Sequence, residues 1–300
     1  MKTAKFLLTT MVVALLAACG TTRTVPITGR KQSLLVSDAE IMTQSLKEYN
    51  SYMATAKKST HAANTAMVKR VGQRLATSVE AYLRNNGMAG ELSQYAWEFN
   101  LVQDKSANAF CLPGGKIVVY EGLLPYTQNE AALAIVLGHE IAHAVAKHSA
   151  EQISKIYRQQ YATQIGGTIL GATVGSDVGN IVGLLAQTGF KFRNLKYSRD
   201  NETEADHIGL IFAAMAGYDP RVAISFWQRM ATGSSANRSD MFSDHPSDAK
   251  RIAALQQEMP EALKYYEASN KVIESTPPVA TSKKKATEKK TTARKNSAKR

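Results

Sequence analysis

Apolar side chains recur at intervals of three and four residues through most of the chain, and this spacing predicts α-helices. The clearest case spans residues 62–85, with apolar positions at Met67, Val68, Val71, Leu75, Val79 and Leu83. Further helices are predicted to start at Ser37 and to cover 129–158, 202–216, 221–230, 248–257 and 261–269. Helix therefore dominates the predicted fold.

Two short segments alternate between apolar and polar residues and predict β-strands. Between residues 95 and 103, Trp97, Phe99 and Leu101 fall on one face. Residues 116–120 form a short run rich in β-branched side chains. The sequence thus predicts a mainly helical α+β domain with one small β-sheet.

The N-terminus has the pattern of an export signal, with lysines before an apolar stretch at residues 6–18. Its end, Leu16–Gly20, resembles a bacterial lipobox, in which Cys19 becomes acylated. The alternative is an ordinary secretory signal with an incidental cysteine. We expect residues 1–18 to be a lipoprotein signal peptide and residues 19–36 to be a tether. A glycine after the cysteine favours the outer membrane of a bacterial cell envelope, with the protein facing the periplasm.

The net charge of +12 is concentrated at the C-terminus. Residues 276–300 hold nine Lys or Arg against one acidic residue, Glu288, so we expect a disordered Lys-rich tail after a domain at residues 37–275. The tail is either simply solvated or binds anionic lipid or an anionic envelope polymer. It has no aromatic residue for base stacking, and export also argues against nucleic acid as a partner.

A His-Glu-x-x-His motif at His139–His143 carries the clearest chemistry in the chain. A spacing of four places both imidazoles on one helical face, where they can bind one zinc ion. Glu140 lies about 100° round the helix. From there its carboxylate can take a proton from a water molecule that zinc activates.

A catalytic zinc site needs a third protein ligand. A nearby third histidine is excluded, because the third and sixth residues after His143 are alanine and serine; His148 is interpreted as a solvated polar residue. Glu202 and Asp206 share one face of a later helix, with Glu204 on the opposite side. Glu202 is the candidate ligand, and Asp206 can accept the second ring N–H of a histidine ligand. Alternatively, these are ordinary acidic residues favoured at a helix N-terminus.

Four segments in this order resemble the M48 family of zinc metallopeptidases, and in particular its bacterial periplasmic lipoproteins. They are Asn108–Gly115, His139–His143, Ser198–Asp206, and His245-Pro246 with Arg251. The resemblance implies a zincin-like domain that binds one Zn²⁺ per subunit. It also implies His139, His143 and Glu202 as ligands, with Asp206 behind them.

The resemblance implies further roles. An extended substrate would add to an edge strand that lines the cleft and contains Gly115, Lys116, Ile117, Val118 and Val119; the alternative is a buried strand without ligand contacts. His245 would stabilise the developing oxyanion or cap zinc at rest, unless it is a simple loop histidine. Arg199 would pair with a carboxylate near the site.

Two hypotheses of function follow. The first is a lipid-anchored zinc endopeptidase that cleaves envelope polypeptides, such as misfolded or unassembled ones, with Glu140 as general base. The alternative is a protease-fold chaperone or assembly factor of the envelope whose catalysis is silenced or dispensable. Residues 165–189 carry glycines at a spacing of four and are interpreted as a helical hairpin, a lid or a membrane-contacting segment. Cys111 is interpreted as a small buried residue.

Overall fold

The computed structural model describes residues 21–166, 189–232 and 249–275. In this part of the chain helices predominate and two small sheets accompany them, so the α+β prediction is confirmed and the prediction of a single sheet is wrong. The elements are β1 (Thr21–Thr24), β2 (Lys31–Leu34), α1 (Asp38–Thr55), α2 (Ala62–Asn85), β3 (Glu98–Val102), β4 (Ala109–Leu112), β5 (Lys116–Tyr120), α3 (Leu124–Thr127), α4 (Glu130–Val145), α5 (His148–Gly166), α6 (Arg199–Met215), α7 (Val222–Thr232) and α8 (Ala249–Ser275). Short 3₁₀-helices lie at Ala89–Gln94, Glu121–Leu123 and Phe192–Asn194.

The N-terminal hairpin is the first departure from the sequence prediction. Strands β1 and β2 pair in antiparallel fashion. Gln32 and Leu34 are buried, and Val25, in the connection, belongs to the main hydrophobic core. The prediction of a tether over residues 19–36 is therefore wrong from residue 21 onward, because alternate side chains of this polar segment are buried against the domain.

Helix starts agree well with the sequence. The Ser37 side chain accepts a hydrogen bond from the Glu40 backbone N–H at 3.2 Å, and Asn129 accepts one from Ala132 at 2.9 Å. Each cap satisfies a backbone donor that the first helical turn leaves without a partner. The predicted start at Ser37 and the predicted cap at Asn129 are confirmed.

The single helix predicted over residues 129–158 is wrong, because the chain turns between α4 and α5. Lys147 takes a left-handed conformation with φ of 54°, which an α-helix cannot contain. Its ammonium group binds Asp38 at 2.8 Å and Glu91 at 2.6 Å. These tertiary ion pairs hold Lys147 at the turn, and the turn redirects the start of α5, where His148 lies.

Helix α4 is buried on nearly all sides and crosses α6 at a contact between two glycines. A Cβ atom on Gly138 would lie 2.6 Å from the Gly209 carbonyl oxygen, and one on Gly209 would lie 2.6 Å from the His139 nitrogen. Real Cβ atoms do not approach backbone atoms so closely, so only glycine permits this crossing. The close approach brings the carboxylates at the start of α6 next to the histidines of α4.

The three-stranded sheet has the order β3-β5-β4. Strand β5 pairs in parallel with β3, where Glu98 lies opposite Lys116, and antiparallel with β4, where Cys111 lies opposite Ile117. The prediction of residues 115–119 as an edge strand is therefore wrong, because β5 is the central strand. Strand β4 is the edge strand that packs against α4.

The main core lies between α2, the three-stranded sheet and the helices α4, α6 and α7. Its members include Val71, Ile117, Leu137, Phe212 and Trp227, which are all fully buried. Burying such side chains is the largest favourable contribution to folding. Within the described ranges, no helix combines the length and the apolar character that crossing a bilayer requires.

Candidate active site

The two histidines of α4 point into the same buried space. His139 and His143 are almost fully buried, and their Nε2 atoms lie 3.1 Å apart. The i, i+4 spacing produces this arrangement, because it places the two side chains one helical turn apart on one face. The structure therefore places both predicted histidine ligands together.

Glu202 reaches the same space from the first turn of α6. Its Oε2 atom lies 3.5 Å from His139 Nε2, and its Oε1 atom lies 3.5 Å from His143 Nε2. Ser198 caps the helix by accepting a hydrogen bond from the Asn201 N–H at 3.2 Å, so the position of Glu202 on the first turn is well defined. One donor atom from each of the three residues lies within 4.8 Å of the others.

This donor set fits zinc in chemistry and in spacing. Two imidazoles and one carboxylate form a known catalytic zinc set, which keeps the fourth position open. Bonds of about 2.0–2.1 Å in a tetrahedral site place donor atoms about 3.3 Å apart. The distances of 3.1 Å between the nitrogens and 3.5 Å from each nitrogen to an oxygen of Glu202 are close to that value.

The electrostatics of the pocket also favour a cation. Burial alone would lower the pKa of His139, but hydrogen bonds that the ring donates to Asp206 and Glu202 outweigh that effect and raise the pKa to about 9. Carboxylates that stabilise positive charge on an imidazole would equally stabilise a metal ion between the ring and themselves. The residues present therefore fit the zinc that the sequence predicts.

Glu140 lies beside these residues and is held by the edge strand β4. Its side chain is buried, and its Oε2 atom accepts a hydrogen bond from the Cys111 backbone N–H at 3.2 Å. Cys111 is itself a buried free cysteine, as predicted, and burial raises the pKa of its thiol well above the usual value. The thiol is therefore protonated, and the backbone of Cys111 is the part that contacts the site.

A first hydrogen-bonded network, formed by Asp206 and Arg251, lies behind His139 and is named the Asp206 network. Asp206 Oδ1 lies 2.9 Å from His139 Nδ1 and accepts a hydrogen bond from Arg251 Nη2 at 2.5 Å. The Arg251 guanidinium stacks on the Trp227 ring at 3.5 Å. Asp206 thus stands where the sequence placed it, and Arg251 acquires a contact role that the sequence did not assign.

Arg199 does not take the role predicted for it. Its side chain is exposed, and among the described residues it forms no ion pair. Arg251 is instead the cation near the carboxylates, since its Nη1 atom lies 3.9 Å from Glu202 Oε2. Spacing within α6 could not reveal this, because Arg251 arrives from α8, about 50 residues later in the chain.

A second network, formed by His148, Glu204 and Arg30, lies behind His143 and is named the His148 network. The Nδ1 atoms of His143 and His148 are 2.9 Å apart, and His148 Nε2 lies 3.0 Å from Glu204 Oε2. His148 is 0% exposed, so the interpretation as a solvated residue is wrong. Burial lowers the pKa of His148, although the nearby carboxylate acts in the opposite direction. The lowered pKa favours the neutral ring.

An aromatic ring covers one face of His143. The Tyr197 ring stacks on it at 4.1 Å between centroids, and the Tyr197 hydroxyl lies 2.8 Å from Ser149 Oγ. Burial raises the pKa of Tyr197, so its hydroxyl stays protonated. This residue was missed in the sequence because it lies outside any helix and has no motif of its own.

The residues predicted to bind substrate are engaged within the fold. Lys116 Nζ binds the Ala96 carbonyl oxygen at 2.6 Å and Glu98 Oε1 at 2.5 Å. Ile117, Val118 and Val119 are fully buried, in agreement with the alternative of a buried strand. Five other predictions lie outside the described residues: the signal peptide at residues 1–18, Cys19, His245, most of residues 165–189, and the tail at residues 276–300.

Comparison with known proteins agrees with this geometry. Residues 62–259 match the sequence profile of peptidase family M48. Mitochondrial metalloendopeptidase OMA1 of Schizosaccharomyces pombe is 37% identical over 182 residues, covering 60% of this chain and 51% of that protein. The human mitochondrial metalloendopeptidase OMA1 is 32% identical over 251 residues, covering 82% and 47%.

A bacterial relative is similar over a shorter region. The beta-barrel assembly-enhancing protease of Yersinia pestis is 30% identical over 161 residues, covering 52% of this chain and 33% of that protein. The chain thus spans about half or less of the length of these relatives. Because the profile match covers well over half of the sequence and includes every residue of the metal site, the chain belongs to peptidase family M48.

Proposed function

We propose that this protein is a zinc-dependent endopeptidase. The observation that carries the proposal is the buried group of His139, His143 and Glu202, with Glu140 beside it. Family membership supports it, since the relatives are named as metalloendopeptidases or as a protease. The open fourth position of such a donor set is the place for a reacting group.

The catalytic steps are divided among these side chains. His139, His143 and Glu202 would hold the metal, which, when bound, polarises a peptide carbonyl and lowers the pKa of water. Glu140 accepts the proton of the attacking water and delivers it to the leaving nitrogen. The Cys111 N–H holds Oε2 of Glu140 and thereby sets the rotation of the carboxylate.

We further propose that an extended substrate lies along β4 rather than β5. Strand β4 is an edge strand, and its backbone contacts the general base through Cys111. The Asn108 carbonyl oxygen accepts a hydrogen bond from the Tyr120 N–H. In an antiparallel pair the hydrogen-bonded positions alternate, so the backbone N–H and C=O groups of Ala109 and Cys111 point away from β5. His245 would stabilise the charge that develops on the substrate carbonyl oxygen.

The cellular setting is proposed from the sequence. Acylation of Cys19 would hold the enzyme on the periplasmic face of the outer membrane, and polypeptides of the envelope, especially misfolded or unassembled ones, would be its substrates. The Lys-rich tail would add weak attraction to anionic lipid or polymer. If this is right, Cys19→Ser moves the protein from the membrane to the soluble fraction, and mass spectrometry finds acyl chains on Cys19 of the wild type. A wild-type protein without acyl chains would contradict the anchor.

The central test removes the base without removing the metal. Glu140→Gln should reduce cleavage of an unfolded protein substrate by about 10²–10⁴-fold, because the amide cannot accept the proton. Its zinc content should stay at wild-type level, since Glu140 is not among the ligands. Glu202→Ala is the matched variant, which should lose zinc and activity together. Full cleavage by Glu140→Gln would exclude this mechanism, whereas a zinc-loaded wild type that cleaves no substrate would favour the chaperone alternative.

A further inference from the structure

His148 is the one described histidine in direct contact with a metal-site histidine that the proposed mechanism does not use. It lies at the start of α5, immediately after the left-handed turn at Lys147. Its two ring nitrogens face two different groups, His143 on one side and Glu204 on the other. A fully buried ring held at both nitrogens has a defined orientation.

We propose that His148 is a positioning residue, which fixes the tautomer and orientation of His143 for zinc through Glu204 and Arg30. This inference rests on the proposed zinc site. The hairpin β1–β2, which carries the loop with Arg30, thereby supports the metal site. His148 then affects how tightly the metal is held and in what geometry.

The proton positions follow from chemistry. A metal at His143 Nε2 needs the lone pair of that nitrogen, so the proton of the neutral ring lies on Nδ1. That N–H is buried and needs an acceptor. His148 Nδ1, at 2.9 Å, can accept only when its own proton lies on Nε2, which faces Glu204 at 3.0 Å. Each proton of this series of hydrogen bonds then has one defined position.

Glu204 is fixed in turn by Arg30. Arg30 Nε lies 3.0 Å from both oxygens of Glu204, and Nη2 lies 2.7 Å from Oε2. The Thr28 hydroxyl donates to Oε1 at 2.6 Å. Arg30 also binds Glu151 through Nη1 and Nη2, at 3.0 and 2.9 Å. These charge-assisted contacts hold the Glu204 carboxylate in the orientation in which it accepts from His148.

The chemistry matches what is known of histidine ligands in general. The second ring nitrogen of a metal-bound histidine usually donates to a carboxylate or carbonyl, which fixes the ring and raises its basicity. His139 obtains this from Asp206 directly. At His143 the Nδ1 atom faces His148, whose other ring nitrogen faces the carboxylate of Glu204, so an additional imidazole transmits the same effect.

The experiment measures zinc affinity of the full chain by competition with a chromophoric chelator. His148→Leu should raise the zinc dissociation constant by about 10–100-fold, because the Nδ1–H of His143 loses its acceptor. His148→Asn keeps an oxygen near the place of Nδ1 and should recover part of that loss. The visible absorption of the Co²⁺-substituted protein should change in His148→Leu, which reports the altered geometry independently of activity.

Two controls separate positioning from stability. His207 is also a histidine of the site region with a carboxylate partner, Glu258, but it faces α8 and not the metal site. His207→Leu should leave zinc affinity and the Co²⁺ spectrum unchanged. Melting of the metal-free proteins shows how far each change acts on the fold alone.

The far end of the network provides a second route if His148→Leu does not fold. Arg30→Gln should weaken zinc binding by a smaller factor, about 3–10-fold, because Arg30 acts through two other groups and is partly solvated. The matched control is Arg70→Gln, which removes an exposed Arg–Glu pair with Glu130. This control should leave zinc affinity unchanged.

The outcomes are separable. A folded His148→Leu protein with wild-type zinc affinity and Co²⁺ spectrum would overturn the inference, and so would unchanged affinity in both Arg30→Gln and Glu204→Gln. The endopeptidase proposal fails by a different result, namely cleavage that does not depend on Glu140. Each of the two can therefore fail while the other stands.

Discussion

Each histidine of the metal site is connected by hydrogen bonds to a carboxylate of α6, and each carboxylate binds an arginine, but the two networks differ. The Asp206 network is direct and buried: the Arg251 side chain is 5% exposed. The His148 network contains one more ring and ends on Arg30, whose side chain is 36% exposed. One arginine comes from the C-terminal helix α8 and the other from the N-terminal hairpin.

The difference shows how the surroundings decide what such a network contributes. In the Asp206 network water cannot replace a lost partner, so a missing carboxylate leaves a buried charge poorly compensated. In the His148 network, an Arg30 that has lost Glu204 can turn its guanidinium to solvent or retain its ion pair with Glu151. We therefore expect the first network to support both the fold and the metal, and the second to act mainly on the metal.

The largest expected effect follows from Asp206→Ala. This change leaves Arg251 with one carboxylate fewer and should reduce the free energy of unfolding by about 3 kcal/mol. It should also weaken zinc binding by about 10–100-fold. Glu204→Ala should reduce the free energy of unfolding by only about 1–2 kcal/mol. Urea unfolding of the metal-free proteins gives both values, and equal losses would contradict the comparison.

A double variant sharpens this result. Adding Arg251→Met to Asp206→Ala removes the uncompensated charge and keeps an apolar contact for Trp227. The double variant should regain part of the stability but none of the zinc affinity. Recovery of the zinc affinity would mean that Arg251, and not Asp206, determines the state of His139.

Gly209→Ala should affect both networks at once, because Glu204 and Asp206 lie on the same helix. The new Cβ would meet the backbone of His139 at 2.6 Å and push α6 away from α4. We expect a loss of about 1–3 kcal/mol in the free energy of unfolding, together with weaker zinc binding. Gly90→Ala, where a Cβ meets nothing within 4 Å, is the matched control. Unchanged zinc affinity in Gly209→Ala would show that the helix crossing tolerates displacement.

The smallest expected effect is a pH dependence of the stability that the ion pair between Glu151 and Arg30 contributes. Although burial raises the pKa of Glu151, its bonds to Arg30 and Lys155 lower it from 4.5 to about 2. A lowered pKa contributes stability that is present above pH 4.5 and is lost as the pH falls from 4.5 towards 2. Glu151→Gln should therefore be less stable than wild type at pH 7, by up to about 1 kcal/mol. The difference should shrink below pH 4.5 in urea unfolding, and a constant difference would contradict the ion pair.

Much of the site was predictable because its parts are local in sequence. The spacing of His139 and His143 specifies one helical face, and so does the spacing of Glu202 and Asp206 on α6. Ser37 and Asn129 start helices by capping donors a few residues away. Such relations depend only on helix geometry, which any sequence of that pattern adopts.

The residues that were missed depend on contacts between distant segments. His148 would not share a face with His143 in a continuous helix, and it meets His143 only because the chain turns at Lys147. Arg30 and Arg251 come from opposite ends of the described chain. For the same reason the order β3-β5-β4, in which β5 is central, was not evident from the strand patterns.

Spacing along the chain indicated the donor chemistry of the metal site, because the two imidazoles and the adjacent base lie on α4 and the candidate carboxylate ligand shares a face of α6 with Asp206. The residues behind those groups are set by contacts between distant segments. The glycine crossing of α4 and α6 sets their distance, and the turn at Lys147 brings His148 to His143. The physical reason is that a buried N–H or charge must find a partner, while the partner's place in the sequence is free.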